Sequence, residues 1–478
     1  MTVDLPTNLF LNGEFRKPSG DKRIRLVNPA NDEVITDVNA ADVTEINLAV
    51  EGAHRAFSQS WRDMAPGKRT EILFAIAKQI RANSEQLAHA EMMNIGKPIA
   101  EARDEIALGA RVFEYYAGAI TKFYGQTIPV SRGGFDFTLR QPLGVVAAIV
   151  PWNFPFPIAC WKVAPALAAG NSVVLKPASL SPLTALMLGE IAATAGLPTG
   201  VLQVVPGSGS KVGDALVTHP LVRKISFTGS TEIGTRIMEL AAKGIKRISL
   251  ELGGKSPNIV FADSDLDQAA AQSPSSVFAN TGQDCCARSR IFVERRIYKE
   301  FTERFIDATS KLTVDDPAKE TTQLGPMVST GQRSAVEEFI SGARQAGRKI
   351  AHGGEKLFSK GAFLQPTVIC EPELQDRVWR EEVFGPVACI RPFDNEEQML
   401  AEVNDSPYGL SGSIWTNDLK RAIRVARRVE SGVLSINCNN SVHVEAPFGG
   451  FKQSGLGRDL GMNAMEGYTE LKNVYIAE

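Results

Sequence analysis

The sequence predicts an α/β protein built on a doubly wound parallel sheet, and three observations carry that prediction. From Gly144 onward, short apolar segments of strand length alternate with segments of helical periodicity. The 478 residues, 44% hydrophobic and 22% charged, suffice for about three structural units with ample core. No internal repeat or low-complexity linker separates these segments, so the units are expected to pack intimately.

The first 120 residues read as mostly helical, with apolar residues at helical spacing over 44–57, 68–81 and 100–122. The pattern breaks over 124–142, where glycines and the alternation of Phe135, Phe137 and Leu139 predict an extended hairpin standing apart from the helices. Strands are expected at 145–150, 172–176, 201–205, 224–227 and 247–250. Helices are expected between them at 158–168, 182–195, 212–217 and 231–242. A second alternating region runs from Asn258 to about Phe451.

Composition excludes several classes of function. A net charge of -2 favours neither nucleic acid nor an anionic membrane. No stretch approaches the ~20 apolar residues of a membrane span, and residues 1–6 show no basic segment leading into an apolar one, so no signal peptide is expected. The six cysteines have no CxxC spacing and no histidine cluster. Neither a metal site nor a disulfide scaffold is expected, and a reduced cytoplasm is the natural setting.

Ligands of doubly wound sheets sit at the carboxyl ends of the strands. Four loops there are rich in polar and glycine residues: Pro151-Trp152-Asn153, Lys176-Pro177-Ala178-Ser179, Thr228-Gly229-Ser230 and Glu251-Leu252-Gly253-Gly254. Glu251, between two leucines at a strand end, is either a solvated terminal charge or a desolvated carboxyl suited to general-base work. Asn153 either satisfies backbone groups or offers an amide to an oxyanion. Adjacent Cys285 and Cys286 cannot bridge each other without strain. Burial in a core is the commoner fate of free cysteine, but the polar, glycine-containing loop 280–285 points to a reactive thiol. Gly207-Ser208-Gly209-Ser210-Lys211 lacks the spacing of a phosphate loop and reads as a turn.

Together these segments resemble the aldehyde dehydrogenase superfamily, in its hydrolytic, NAD(P)-dependent form, over essentially the whole chain. The strings LELGGKSP (250–257), FANTGQDCCA (278–287), PWNFP, KPAS, FTGS, EEVFGP and PFGG occur in the family's order and spacing. The resemblance implies that Cys285 is the nucleophile and that Cys286 does not attack. It implies that Asn153 and the Cys285 N–H hold the oxyanion of a thiohemiacetal, and that Glu251 activates the water that hydrolyses the thioester. It assigns Pro151, Trp152, Lys176, Ser179, Gly229, Ser230, Leu252, Glu382 and Phe384 to the cofactor. Phe154, Trp161, Ala279, Asn440, Val442 and Phe448 fall to the substrate tunnel, with Ala279 and Val442 standing where many relatives carry aromatics.

The implied architecture has a Rossmann-like coenzyme domain (1–122 and 143–253), an α/β catalytic domain (254–452) and a small β oligomerisation arm (123–142 and 453–478). A homodimer or homotetramer with a small-molecule aldehyde as substrate follows from it. Ser179 stands where NAD-preferring relatives often have glutamate, so NADP is expected to be accepted, with NAD also used. Two rivals are weighed. A CoA-acylating enzyme needs no water-activating glutamate, which Glu251 argues against. A non-catalytic protein of the same fold would lack Cys285, Asn153 or Glu251, and all three are present.

Overall fold

The computed structural model, which describes residues 4–440 and 442–477, contains two large sheets. The first has eight strands, ordered Glu14–Arg16, Leu9–Leu11, Leu202–Val204, Ser172–Lys176, Val145–Ile149, Val222–Thr228, Arg247–Glu251 and Gly455–Leu456. The pairings from Leu202–Val204 through to Arg247–Glu251 are parallel. These strands are apolar runs because both faces are covered. In Val145–Ile149 the two-residue period sends Val146 and Ala148 into one core, with the helices Pro66–Ala82, Ile99–Ala119, Pro155–Ala168 and Leu183–Thr194. Val145, Ala147 and Ile149 enter the other, with Val43–Ala56 and Thr231–Ala242.

The second sheet has seven strands, ordered Lys349–His352, Thr367–Cys370, Val387–Phe393, Arg290–Glu294, Pro257–Val260, Ser411–Trp415 and Val433–Ile436. All its pairings are parallel except that of Lys349–His352. A third, three-stranded sheet joins Thr469–Ile476 along its whole length to Phe135–Pro142, with Thr127–Ile128 on the far side.

Three expectations need correction. The first 120 residues are not mostly helical at their start: Leu9–Leu11, Glu14–Arg16, Arg23–Val27 and Val34–Asn39 are strands, too short and too mixed in polarity to show a period. The helix Ser84–Ile95 went unread because Glu91 and Asn94 lie on its buried side. Glu91 accepts from the Phe156 N–H (3.2 Å) and the Thr184 hydroxyl (2.8 Å), and Asn94 donates to the Leu180 carbonyl (2.7 Å). Within 453–478, only Thr469–Ile476 joins the arm sheet, since Gly455–Leu456 pairs with Arg247–Glu251.

The loop carrying the adjacent cysteines is held under backbone strain. After the helix Leu266–Phe278, Asn280, Thr281 and Gly282 take φ of 50°, 56° and 70° in succession. A Cβ on Gly282 would lie 2.2 Å from the Gly385 carbonyl oxygen. Such a conformation persists only where its surroundings over-determine it. Gly282→Ala is therefore expected to cost about 1–3 kcal/mol of stability and, by displacing Cys285, about a hundredfold in activity. Chemical denaturation and steady-state rates check this, and wild-type values for both would show that the strain positions nothing.

Candidate active site

Two cavities meet at the carboxyl ends of the first sheet's strands, and the residues they share are Glu251 and Cys285. The larger, of about 600 Å³, is lined by Pro151, Trp152, Asn153, Lys176, Ser179, Gly229, Ser230, Glu382 and Phe384. The smaller, of about 410 Å³, is lined by Phe154, Trp161, Ala279, Asn440, Val442 and Phe448. Residues singled out in the sequence thus divide between two spaces on either side of one thiol. The division falls inside a single loop, Asn153 facing one cavity and Phe154 the other.

Each wall has a local cause. Ser230 caps the helix Thr231–Ala242, its hydroxyl accepting from the Ile233 N–H at 3.4 Å, and so turns a positive helix end toward the larger cavity. Trp152 and Phe384 meet edge to face at 5.2 Å, and Trp161 and Phe448 at 5.3 Å. Lys176 is buried with a single weak partner, the Pro177 carbonyl at 3.2 Å, and burial lowers its ammonium to about 8. That under-satisfied cation, the helix end and the mostly apolar walls fit a dinucleotide. Glu382 accepts from the Gly254 N–H at 3.0 Å, and burial raises its carboxyl to about 7.

The Leu252 side chain packs against Gly234 of the helix Thr231–Ala242. The segment taken for a plain turn departs from that expectation. Gly209–Gly213 forms a π-helical turn capped by Ser208, and Gly209 and Ser210 line the larger cavity. Asp214, Ile233, Arg236 and Gln332 line it too and carried no motif. The smaller cavity holds charged residues that the sequence did not single out: Glu101, Asp104, Glu105, Asp284 and Arg288. They come from two separate stretches, the helix Ile99–Ala119 and the loop around Cys285, which the fold brings together.

Around the thiol the electrostatics favour neutral forms. Burial raises Glu251 to about 8, opposed by the Lys162 ammonium. Its Oε1 is buried without a hydrogen-bond partner. Contact with the Cys286 thiol, burial and the Glu251 carboxylate push the Cys285 thiol well up. Thiol and carboxyl line the same two cavities and each shifts the other's ionisation, so a proton can pass between two groups that both resist charge. Asn153 is pinned through its backbone: its carbonyl accepts from Lys97 Nζ (3.0 Å) and Asn280 Nδ2 (2.9 Å). Its side-chain amide donates one hydrogen to the Gln283 carbonyl (3.0 Å), which leaves the second free for another acceptor. The one trio of potential metal ligands among the described residues is Asp284, Cys285 and Cys286, with ligand atoms within 4.8 Å of one another.

The model of the aldehyde dehydrogenase family matches residues 15–474. The chain belongs to that family. Among its relatives, betaine aldehyde dehydrogenase 1 of rice is 43% identical over 98% of this chain and 94% of its own. Human retinal dehydrogenase 2 is 41% identical over 98% and 92%. The NAD+ complex of an aldehyde dehydrogenase from Bacillus cereus superposes with a TM-score of 0.97 at 38% identity, covering 99% of this chain and 97% of that one. As an aldehyde dehydrogenase, the protein oxidises an aldehyde to the carboxylic acid with a nicotinamide cofactor. Among the described residues no helix is long and apolar enough to cross a membrane.

Cys285 and Cys438 are the half-buried thiols, and Cys160, Cys286, Cys370 and Cys389 are buried. Iodoacetamide should therefore label Cys285 and Cys438 ahead of the other four, as read by peptide mass spectrometry. Because the Cys285 thiol is pushed up, its labelling should accelerate with pH through the neutral and mildly alkaline range. A pH-independent rate at Cys285 would mean that it is already a thiolate and that the electrostatic account fails.

Proposed function

We propose that Cys285 attacks the aldehyde, that the Asn153 amide and the Cys285 N–H bind the resulting oxyanion, and that Glu251 serves as the base. The observation that carries this reading is the meeting of two cavities at the Cys285–Glu251 pair. Glu251 takes the thiol proton as the C–S bond forms. The bound nicotinamide supplies the hydride acceptor. Glu251 releases that proton to solvent and, ionised again, deprotonates the water that splits the thioester, the proton then passing to Cys285 as it leaves as the thiol. The buried Lys162, whose ammonium favours the Glu251 carboxylate, supports that second role.

Pro151, Trp152, Lys176, Ser179, Gly229, Ser230, Leu252, Glu382 and Phe384 would hold the cofactor at the larger cavity, Lys176 toward the adenosine ribose and Glu382 toward the nicotinamide ribose. Phe154, Trp161, Ala279, Asn440, Val442 and Phe448 would line the aldehyde's path. The coenzyme domain would comprise 1–122 and 143–253, and the catalytic domain 254–452. The arm would draw on 123–142 and the end of 453–478. Leu139, Leu471, Tyr475 and Ile476 of its sheet are exposed, which supports pairing with a second copy in a homodimer or homotetramer. The six free cysteines suit the cytoplasm.

Glu251→Gln should leave a first-turnover burst of NAD(P)H but block steady turnover, with an acyl adduct on Cys285 by mass spectrometry. In the wild type, the hydrolytic step should speed up as pH rises through about 8, because the base must be ionised. Unimpaired steady turnover in the variant would remove Glu251 from the mechanism.

We further infer that NADP is accepted and NAD also used. Ser179 lines both the larger cavity and a smaller one beside it, of about 250 Å³, walled by Lys22, Arg23, Ser208 and Lys211. Its hydroxyl, 3.1 Å from the Gly207 carbonyl, can rotate toward a phosphate oxygen. Cations on that side suit a ribose 2′-phosphate, although Asp42, paired to Lys22 at 3.6 Å, offsets one of them. Ser179→Glu should shift the kcat/KM ratio toward NAD by roughly one to two powers of ten. Absence of wild-type turnover with NADP at saturating aldehyde would overturn the inference.

A further inference from the structure

The smaller cavity is not lined as a path for a plain hydrocarbon aldehyde. Arg288, between the nucleophile loop and the strand Arg290–Glu294, has only 3% of its surface exposed and yet lines this cavity. Its Nε donates to the Ser413 hydroxyl at 3.1 Å and its Nη1 to the Cys286 carbonyl at 3.3 Å. Its Nη2 is buried and has no partner. Among the described residues no carboxylate forms an ion pair with this guanidinium. A planar fork fixed at two nitrogens and unpartnered at the third, on a residue that lines a cavity, can receive a carboxylate once the side chain turns its free nitrogen to it.

Carboxylates of a different kind face the same space. Glu101, Asp104, Glu105 and Leu108 lie on one face of the helix Ile99–Ala119. Glu105 is neutralised by the buried Lys97 ammonium, 2.5 Å from its Oε1. Neither Glu101 nor Asp104 has a cationic partner within ion-pair distance among the described residues. Asp284 accepts from the Cys286 N–H at 2.8 Å. A substrate with a single negative end would share the cavity with the carboxylates of Glu101, Asp104 and Asp284. One with a single positive end would leave Arg288 unanswered. Buried charges are tolerated where they are paired.

We propose that this cavity admits an aldehyde whose far end carries both charges, an anionic group held by Arg288 and an ammonium facing Glu101 and Asp104. The inference rests on the reading that places the aldehyde carbon at Cys285. It makes Arg288 and Glu101 residues of substrate specificity, with opposite preferences.

The test uses the full-length enzyme with saturating cofactor and four aldehydes: neutral hexanal, anionic adipic semialdehyde, cationic 6-(trimethylammonio)hexanal and amphoteric 2-amino-8-oxooctanoate. Wild-type kcat/KM should be highest for the amphoteric compound. In Arg288→Met, kcat/KM for the anionic and amphoteric compounds relative to hexanal should fall by roughly 10–100-fold, mainly through KM. Arg288→Lys should recover part of that loss. In Glu101→Gln the cationic and amphoteric ratios should fall instead. Equal losses for all four aldehydes in Arg288→Met, or hexanal as the best wild-type substrate, would overturn the proposal. Should the Met variant not fold, the wild-type panel and the Lys variant decide alone. The burst and adduct on Cys285 with hexanal report on the nucleophile separately, so the two readings fail independently.

Discussion

The approach of Gly254 to the Cys285 carbonyl governs how the two halves of the site face each other. Between Glu251 and Pro257 the chain leaves the eight-stranded sheet and enters the seven-stranded one. A Cβ at Gly254 would fall 2.3 Å from the Cys285 carbonyl oxygen, and one at Gly253 would fall 2.3 Å from Glu382 Oε2. Two residues without side chains therefore let the acid at the end of one sheet, the thiol on a loop of the other and Glu382 converge. Hydrogen bonds fix the crossing: Ser454 Oγ donates to the Gly253 carbonyl at 2.6 Å, and the Leu252 N–H donates to the Ser454 carbonyl at 2.9 Å. Here the C-terminal segment contributes to the site as well as to the three-stranded sheet.

With the acid and thiol brought into one dry space, their ionisation depends on what lies beneath. Lys162, almost wholly buried, donates to Asp459 Oδ2 at 3.0 Å and to the Ser226 hydroxyl at 3.2 Å. Such a pair is costly to break from one side, about 3–5 kcal/mol. Its members act on Glu251 in opposite senses, the ammonium lowering and the Asp459 carboxylate raising it. Burial outweighs both, so Glu251 is held at about 8 rather than in the ordinary carboxylate range. A base poised there is close to balance at neutral pH, where a fully ionised carboxylate would be a poorer acceptor of the thiol proton.

What the sequence disclosed and what it concealed follow from how each residue is held. Ser172–Lys176 and Thr231–Ala242 have the bounds expected, the first because an apolar run marks a strand covered on both faces, the second because a capping serine and an amphipathic stripe bracket one helix. Cys285, Glu251 and Asn153 stand out because each sits in a short glycine- or proline-bearing string. Glu101, Asp104 and Arg288 do not, because a charged residue on a helix or loop reads as solvated until the fold turns it toward a cavity.

The division of charge between the two cavities follows from the loop that separates them. Lys97 donates to the Asn153 carbonyl while its ammonium lies 4.3 Å from the centre of the Phe154 ring, so one buried cation braces both sides of the partition. On the Asn153 side stand a helix N-terminus, Lys176 and Arg236, an environment suited to phosphates. On the Phe154 side stand Glu101, Asp104 and Asp284, which repel them. At an effective dielectric near 20, a like-charge contact at 4 Å costs about 4 kcal/mol. A dinucleotide pyrophosphate is thereby disfavoured in the acidic cavity, while an amphoteric aldehyde finds counter-charges there. The two sides of one thiol thus differ in polarity, and under the proposed mechanism cofactor and aldehyde would approach Cys285 from different directions without competing for the same space.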